Sequence, residues 1–552
     1  MAVLAGCGLI YEYLLSHYAS RVLGAYESTI FSMIGIMIVA MGIGSFAAKR
    51  FVNAYSTFAW LEFAIALLGL SSVLIIASLF AVSFGLPELF VKSYGLPSDL
   101  TPQGGVFAVL SAIAQVSPFV VGFILGVLIG MEIPLVARIR EDIHQARLQH
   151  NTGTIYGADY IGAGIGAAIW VLFMLSLDDS KSASLTAGAN LLVGLVFFWR
   201  YQKRIRFPAI YLLAQLALFA LLLLVFLKGA GWENNLENTL YKDKVIYSKH
   251  TKYQHITVTE RIMSPTRPKV YSLYINGRTQ FSSLDEQIYH EMLVHPAMLA
   301  SAGHKNILIV GGGDGLALRE ILRWNPEKVT MLELDKAMID FFSKEKFDNK
   351  TGKIINAPLL ALNQHSLTDK RLQIIYGDAF NTVDTLLAKE QLYNVIVVDL
   401  PDPSHPDLNK LYSIRFYEKL NQLLTGDGAM VVQSTSPYHA RNAFICIGKS
   451  VKGAGFRHVE QYHENVPSFG EWGWTIATKV GQSASERINH SPPLPNGLRW
   501  ATKALIKKAF IFPKNFYKNS KLIKANTLNS YTLYQYHQKA WKLEEGTLNF
   551  IN

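Results

Sequence analysis

The sequence predicts a bundle of transmembrane helices followed by a separate α/β domain, and three observations carry that reading. The 552-residue chain is 50% hydrophobic but only 17% charged, with a positive mean hydropathy of +0.20, whereas ordinary soluble domains run nearer a quarter charged. The deficit is uneven: long apolar runs dominate up to about Leu227, and after Gly229 the composition is that of a globular protein. In the C-terminal half, short apolar runs alternate with helical stretches, the pattern of βαβ units and a mostly parallel sheet.

Segments apolar enough to cross about 30 Å of hydrocarbon lie at 3–20, 29–48, 57–84, 106–137, 154–177, 183–199 and 207–228, about seven spans. The first has no basic stretch before it and carries Glu12 and several tyrosines, so it reads as a span and not as a signal peptide. Gly122, Gly126 and Gly130 in the fourth segment, and Gly157, Gly162, Gly164 and Gly166 in the fifth, are expected to let helices approach closely, because van der Waals contact drives association in lipid. Glu12, Glu62, Glu132 and Asp159 lie within or at the edge of spans. Carboxylates are costly there and often mark function, here contact with a cationic ligand; a place at the interface is the plainer reading.

The net charge is +11 and the pI about 9.2. In a soluble protein this would suggest nucleic-acid binding. Here Lys49-Arg50 and the group Arg200, Lys203, Arg204 and Arg206 sit in short loops between apolar segments, where topology explains them. No nucleic-acid partner is expected. The loops near 49–50, 138–147 and 200–206 are basic, and those near 21–28, 85–104 and 178–182 are not. With the basic loops cytoplasmic, seven spans put the N-terminus inside and the C-terminal half outside. A second basic stretch, Lys503, Lys507, Lys508, Lys514, Lys518, Lys521 and Lys524, reads as a solvated or membrane-facing surface. Two cysteines, Cys7 and Cys446, indicate neither a disulfide framework nor a zinc site.

From Lys305 the chain reads strand, glycine turn, helix: an apolar run to Val310, then Gly311-Gly-Gly-Asp-Gly315, then helix through Trp324. Further strands are expected at 329–334, 372–376, 394–398 and 429–433, which makes the domain Rossmann-like, of the methyltransferase type. Ligands bind such sheets at the C-terminal ends of the strands. Asp314 lies in the first turn, Glu333 ends the second strand, Asp378 follows the third and Asp399 follows the fourth. Four carboxylates at four consecutive strand ends outweigh any single glycine turn. Glycines admit close backbone approach to a ligand, and Glu333, about 20 residues after the turn, stands where a carboxylate accepts hydrogen bonds from ribose hydroxyls. A turn former and a solvated strand end are the bland readings of Asp314 and Glu333. The turn lacks the G-x-G-x-x-G spacing of a nicotinamide site, so an adenosyl-sulfonium ligand fits best. Ahead of this core, strand-like alternation with Asn276-Gly277 between two runs predicts a β-hairpin in a small β-rich subdomain.

Tyr253-Gln254, the Asn-Gly-x-x-Gln stretch ending at Gln280, Asp285-Glu286-x-x-Tyr289-His290-Glu291, Gly311 to Gly315, Glu333, Gly377-Asp378-Ala379 and Asp399-Leu-Pro-Asp402-Pro403 occur in a familiar order, continued by Leu411-Tyr412-Ser413 and Phe416-Tyr417. Over roughly 240–480 the chain resembles the spermidine synthase family, and its membrane half resembles the multi-span extension of a bacterial subgroup. The resemblance implies transfer of the aminopropyl group of decarboxylated S-adenosylmethionine, as co-substrate and without a cofactor, to putrescine or a similar amine, giving spermidine and methylthioadenosine. It assigns donor contacts to Gln254, Gln280, His290, Asp314, Glu333, Asp378 and Ala379, with Asp399 beside them, and acceptor contacts to Tyr289 and Asp402. Asp399, alone or with Tyr289, is the candidate catalytic base for the amine, and no metal is called for. Carboxylates also disfavour ordinary S-adenosylmethionine, whose own carboxylate would meet like charge.

The chain departs from the family pattern at Pro401, where a threonine is usual, and at Phe469, where an acceptor-binding tyrosine is expected. Asn276 replaces an aspartate in the hairpin. Losing a hydroxyl removes one hydrogen bond and bears on acceptor choice. The competing readings are a methyltransferase on the same fold, and a membrane transporter or sensor whose soluble domain only binds a polyamine or nucleoside. The organisation expected is a multi-pass transmembrane domain at 1–230, a β-hairpin subdomain at 235–300, a Rossmann-like catalytic domain at 301–480 and a basic extension at 481–552. The chain is placed in the inner cell membrane, with the lipid bilayer as partner and the oligomeric state open.

Overall fold

The computed structural model describes residues 1–23, 26–94, 104–144, 148–239, 241, 243–251, 253–347 and 352–544. Parts of the expected loops at 21–28, 85–104 and 138–147 lie outside them. The chain forms two compact units, Met1–Val245 and Ile246–Asn552.

The first unit is all helix: α1 (Ala2–Leu23), α2 (Tyr26–Ala47), α3 (Ala54–Ser93), α4 (Val106–Gly130), α5 (Glu132–His144), α6 (Leu148–Leu172), α7 (Asp179–Tyr201) and α8 (Pro208–Asn238). Among the described residues six stretches are long and apolar enough to cross a membrane: Thr29–Arg50, Ala54–Val91, Val106–Ile143, Gly153–Ser176, Asp179–Arg204 and Pro208–Asn238. The expected count was about seven. α1 is helical throughout but falls outside the six, because Glu12, His17, Arg21 and its tyrosines dilute its apolar character. The expected fourth segment also breaks at Met131, between α4 and α5.

Two of the expected glycine contacts hold α1 to α6. A Cβ on Gly162 would lie 2.0 Å from the Ala2 carbonyl oxygen, and one on Gly166 2.5 Å from that of Gly6. On α4, a Cβ on Gly130 would lie 2.0 Å from the Met41 carbonyl oxygen. Gly157 and Gly164, by contrast, have nothing within 4 Å of such a Cβ and do not serve packing. Large apolar side chains such as Phe31, Phe46, Leu172 and Leu213 face outward, while several carboxylates are turned inward. The carboxylates of Glu12, Glu62 and Glu132 are buried, and Glu62 accepts a 2.9 Å hydrogen bond from Asn190. Arg21 pairs with Asp179 at 2.7 Å and with Glu237 at 2.8 Å.

The second structural region begins with a four-stranded sheet of β1 (Lys244–His250), β2 (His255–Arg261), β3 (Val270–Ile275) and β4 (Arg278–Ser282), in that order. β3 and β4 pair antiparallel about Asn276 and Gly277, with φ of 50° and 77°. Both turn residues are left-handed, the backbone that an Asn-Gly hairpin favours. A seven-stranded sheet follows, built from β5 (Asn306–Gly311), β6 (Lys328–Glu333), β7 (Leu372–Tyr376), β8 (Tyr393–Asp399), β9 (Leu424–Gln433), β10 (His458–Val466) and β11 (Gly470–Thr478), in the order β10–β11–β9–β8–β5–β6–β7. The strands from β7 to β9 run parallel, and β11 and β10 are antiparallel. Helices α9 (Glu286–Ala300), α10 (Leu316–Leu322), α11 (Lys336–Ser343), α12 (Ala357–Leu362), α13 (Ala379–Leu387), α14 (Ile414–Leu423), α15 (Arg441–Gly453), α16 (Ala484–His490), α17 (Lys503–Lys508) and α18 (Thr532–Glu544) complete it.

Successive residues of β5 enter different cores. Ile307 and Ile309 join one apolar cluster, and Leu308 and Val310 the other. A sheet buried on both faces needs continuous apolar strands, which is why these strands were readable. Residues 286–300 were not. They fall within the expected β-rich subdomain but form α9, buried on nearly every side, so no amphipathic stripe announces a helix. In the C-terminal basic extension Lys507, Lys508, Lys514, Lys518, Lys521 and Lys524 are exposed, as expected of a solvated surface, and Ile506, Phe516, Ile523 and Leu533 are buried in the two cores. Cys7 and Cys446 are both buried and free.

Candidate active site

The site forms where the strand order reverses, between β5 and β8, the place where such sheets bind ligands. Gly311 pairs in register with Asp399. Gly311 has φ 83°, and a Cβ on it would lie 2.1 Å from the Asp399 carbonyl oxygen. Only glycine lets the two strand ends close in this way. The Gly312 amide then donates to that carbonyl at 3.2 Å.

The turn delivers Asp314, whose Oδ1 accepts the Leu316 amide at 2.9 Å. Glu333 lies over the same turn, with Oε2 2.7 Å from where a Gly313 Cβ would be. Its Oε1 accepts the amides of Leu334 and Asp335 at 2.9 and 3.0 Å. Removal from water raises the Glu333 carboxyl to about 7, with the backbone donors working against the rise. Asp399 is raised to about 6, chiefly by desolvation and further by Asp314, while His290 and Tyr289 pull it down.

Helix α9 brings two residues to these carboxylates. The Tyr289 hydroxyl donates to Asp399 Oδ1 at 2.8 Å. His290 Nδ1 lies 2.8 Å from the Glu286 carbonyl oxygen and 3.0 Å from Glu286 Oε2. Desolvation opposes charge on His290, but the Glu286 hydrogen bond and the nearby Asp314 and Asp399 raise it to about 9. The imidazole is therefore protonated at neutral pH. Glu286 is itself held by Arg319, whose Nη1 and Nη2 each donate to one of its oxygens at 2.9 Å. Arg319 Nε continues the chain to Glu320 at 2.7 Å. Sequence reasoning gave Glu286 and Arg319 no role: Glu286 was seen only as part of a motif, and Arg319, a charged residue facing inward on the short helix α10, leaves no local signal.

The remaining donor-side candidates are placed less directly. Asp378 caps α13 through the Phe380 amide at 3.0 Å and pairs with Lys410, so both its oxygens are engaged within the protein; Ala379 opens α13. Gln254 lies in the loop before β2, and that loop is tied to the site by Thr251, which donates to Asp335 at 2.7 Å. Gln280, on β4, folds its amide onto the carbonyls of Arg278 and Thr279, and among the described residues these are its side-chain partners.

On the other side of Tyr289 stands an aromatic wall, with ring centres of Trp474, Phe469 and Trp472 at 5.7, 6.1 and 6.5 Å. Phe469 thus sits beside the site without a hydroxyl to offer. Asp285, at the start of α9, fixes that turn by accepting the Ser468 amide at 2.6 Å and hydroxyl at 2.9 Å. Asp402 lies in the loop after β8. The Pro401 carbonyl accepts the Tyr412 hydroxyl at 2.9 Å, and the Leu400 carbonyl accepts Gln433 at 2.8 Å. Chemically, the arrangement offers a glycine cradle for a nucleoside, several carboxylates for cationic groups, and among those of raised pKa one, Asp399, that is oriented by Tyr289 and can take a proton. Among the described residues no three His, Cys, Asp or Glu side chains are grouped to hold a metal ion.

Residues 286–489 match the spermine/spermidine synthase domain. The polyamine aminopropyltransferase of Shewanella oneidensis is 53% identical over 546 residues, covering 99% of this chain and 95% of that protein. Polyamine aminopropyltransferase 1 of Streptomyces coelicolor is 34% identical over 98% of this chain and 93% of its own length. The polyamine aminopropyltransferase of Oceanobacillus iheyensis is 32% identical, covering 97% and 95%. These similarities span the helical unit as well as the α/β unit.

Proposed function

This chain belongs to the spermine/spermidine synthase family and is an aminopropyltransferase; on that premise we propose that its donor is decarboxylated S-adenosylmethionine and its acceptor putrescine or a related diamine. The observation that carries this reading is the meeting of Asp314, Asp399 and Tyr289 at the reversal between β5 and β8.

Glu333 would accept the ribose hydroxyls, with Asp378 and Ala379 near the base and Gln254 and Gln280 closing the donor side. Asp314 and His290 face the reacting end. The Asp314 carboxylate suits the donor's ammonium group and repels a carboxylate in its place. The acceptor amine attacks the carbon next to the sulfonium: a C–N bond forms, the C–S bond breaks, and its electron pair returns to sulfur in methylthioadenosine. The amine must present a lone pair, and Asp399 takes its proton. A base of pKa about 6 is largely ionised at pH 7 and still accepts a proton locally. Asp402 and the Tyr289 wall hold the rest of the acceptor.

The first unit is proposed as a multi-pass membrane domain, supported by six long apolar helices with apolar side chains outside and carboxylates inside. We place the catalytic unit on the cytoplasmic side, where an enzyme meets its donor, against the pattern of basic loops. The full-length protein in detergent, given decarboxylated S-adenosylmethionine and a series of diamines, should release methylthioadenosine in step with the aminopropylated amine. Methyl transfer from S-adenosylmethionine, with no aminopropyl product, would overturn the reading.

A further inference from the structure

The last helix, α18, carries a side chain into the acceptor side of the site. His537 is 1% exposed, and its Nε2 lies 3.3 Å from Asp402 Oδ2. The helix lies beyond residues 286–489, the stretch that matches the family domain. The same Asp402 oxygen accepts the Thr435 hydroxyl at 3.3 Å. Thr435 is buried with φ 58°, a backbone that costs a β-branched residue energy and persists only where its surroundings enforce it. Here they do: its amide donates to Gln433 at 3.1 Å, and its carbonyl accepts the Gly473 amide at 2.9 Å. Asp402 Oδ1, in contrast, is buried without a hydrogen-bond partner among the described residues. One oxygen is fixed by protein from two sides, and the other awaits a donor.

The proton on His537 follows from its neighbours. With Nε2 bare, two lone pairs would face each other at Asp402. The indole nitrogen of Trp541 lies 3.0 Å from the same Nε2, and its proton can be accepted only when Nε2 carries none. The negative charge of Asp402 favours the arrangement in which Nε2 carries the proton and donates to Oδ2, since charge-assisted bonds are the stronger.

We propose that His537 is a positioning residue for the acceptor: with Thr435 it holds Oδ2 of Asp402 so that Oδ1 receives the ammonium group of a diamine at the end that does not react. This rests on the reading of Asp402 as an acceptor contact. Full-length protein in detergent or nanodiscs is assayed for the KM of amine and of donor and for kcat, as wild type, H537A, H537N, H537Q and D402N. H537A should raise the amine KM about tenfold or more, the scale of one lost hydrogen bond to a charged group, and leave the donor KM within about twofold. H537Q, which can present a donor nitrogen near the place of Nε2, should recover most of the loss. H537N is polar but too short to reach; it should behave like H537A and decides the matter if the alanine variant does not fold. An amine KM raised by D402N but not by H537A or H537N overturns the role of His537 and leaves that of Asp402 standing. An amine KM unmoved by D402N removes Asp402 from the acceptor site, and this inference with it. Equal rises in both KM values, or loss of methylthioadenosine binding, would mark His537 as a fastening for α18 and overturn the proposal.

Discussion

The Tyr289 hydroxyl donates to Asp399 Oδ1 at 2.8 Å, joining helix α9 to the end of β8. The bond does two things at once. It orients the carboxylate, and it favours its ionised form. Burial and the neighbouring Asp314 do the opposite, and His290 acts with Tyr289, so the basicity of Asp399 is a balance among them.

Asp399→Asn keeps the shape and removes both the charge and the basicity. Turnover should fall on the order of a hundredfold or more, as for loss of a positioned general base, with the protein still folded. Raising the assay pH should partly rescue the variant, because more of the amine arrives deprotonated. Near-normal turnover in a folded variant would leave Asp402 or Tyr289 as the base.

Tyr289→Phe removes a donor that lowers the Asp399 pKa. The proposed base must be ionised to take a proton, so wild-type kcat should decline as pH falls through about 6. In the variant that acid limb should move to higher pH. A limb left in place, measured as kcat across pH 5 to 8, would separate Tyr289 from the ionisation of Asp399.

Asp314→Asn tests which part of the donor Asp314 meets. Calorimetry should show binding of decarboxylated S-adenosylmethionine weakened about tenfold or more, the value of a hydrogen bond to a charged group. Methylthioadenosine, which lacks the aminopropyl group, should lose far less. Equal losses would make Asp314 a residue of the turn alone.

His290 stands at about 9 in the folded protein against an ordinary 6.5. A raised histidine stabilises the fold fully below pH 6.5, and that contribution fades as pH climbs through about 9. His290→Gln cannot show this loss. The thermal midpoint of the full-length wild type should therefore fall further than that of His290→Gln between pH 6.5 and 9. Parallel curves would mean that the imidazole is neutral throughout.

A reporter fused to the C-terminus should be active when it is a cytoplasmic one and silent when it is a periplasmic one. Activity of the periplasmic reporter alone would put the catalytic unit outside and vindicate the basic loops.

What the sequence revealed and what it hid have physical reasons. The parallel strands were legible because they are mainly apolar runs, and two at the centre of the sheet end in glycine or acid, at Val310-Gly311 and Val398-Asp399. The Asn276-Gly277 turn was legible because few residue pairs accept two left-handed conformations in succession. Helix α9 hid its type by being buried all round, and α1 is less apolar than the six long stretches because polar residues are spread along it. Arg319, Thr435 and His537 carried no local signal. Each matters through a partner 33 to 135 positions away, and a lone histidine in a helix has no motif to announce it.

The carboxylates proposed to meet the donor are rooted in the parallel strand ends, while the groups around Asp402 and Tyr289 come from elsewhere: the turn before β11, the end of β9 and the last helix. That separation makes the enzyme evolvable in one direction. On the proposed assignment, substitution at Phe469, Trp472 or His537 alters the surroundings of the acceptor and leaves the carboxylates at the strand ends in place. With the acceptor held as proposed, one amine would be exchanged for another at the rim, where the residues belong to different elements from those that form the glycine turn.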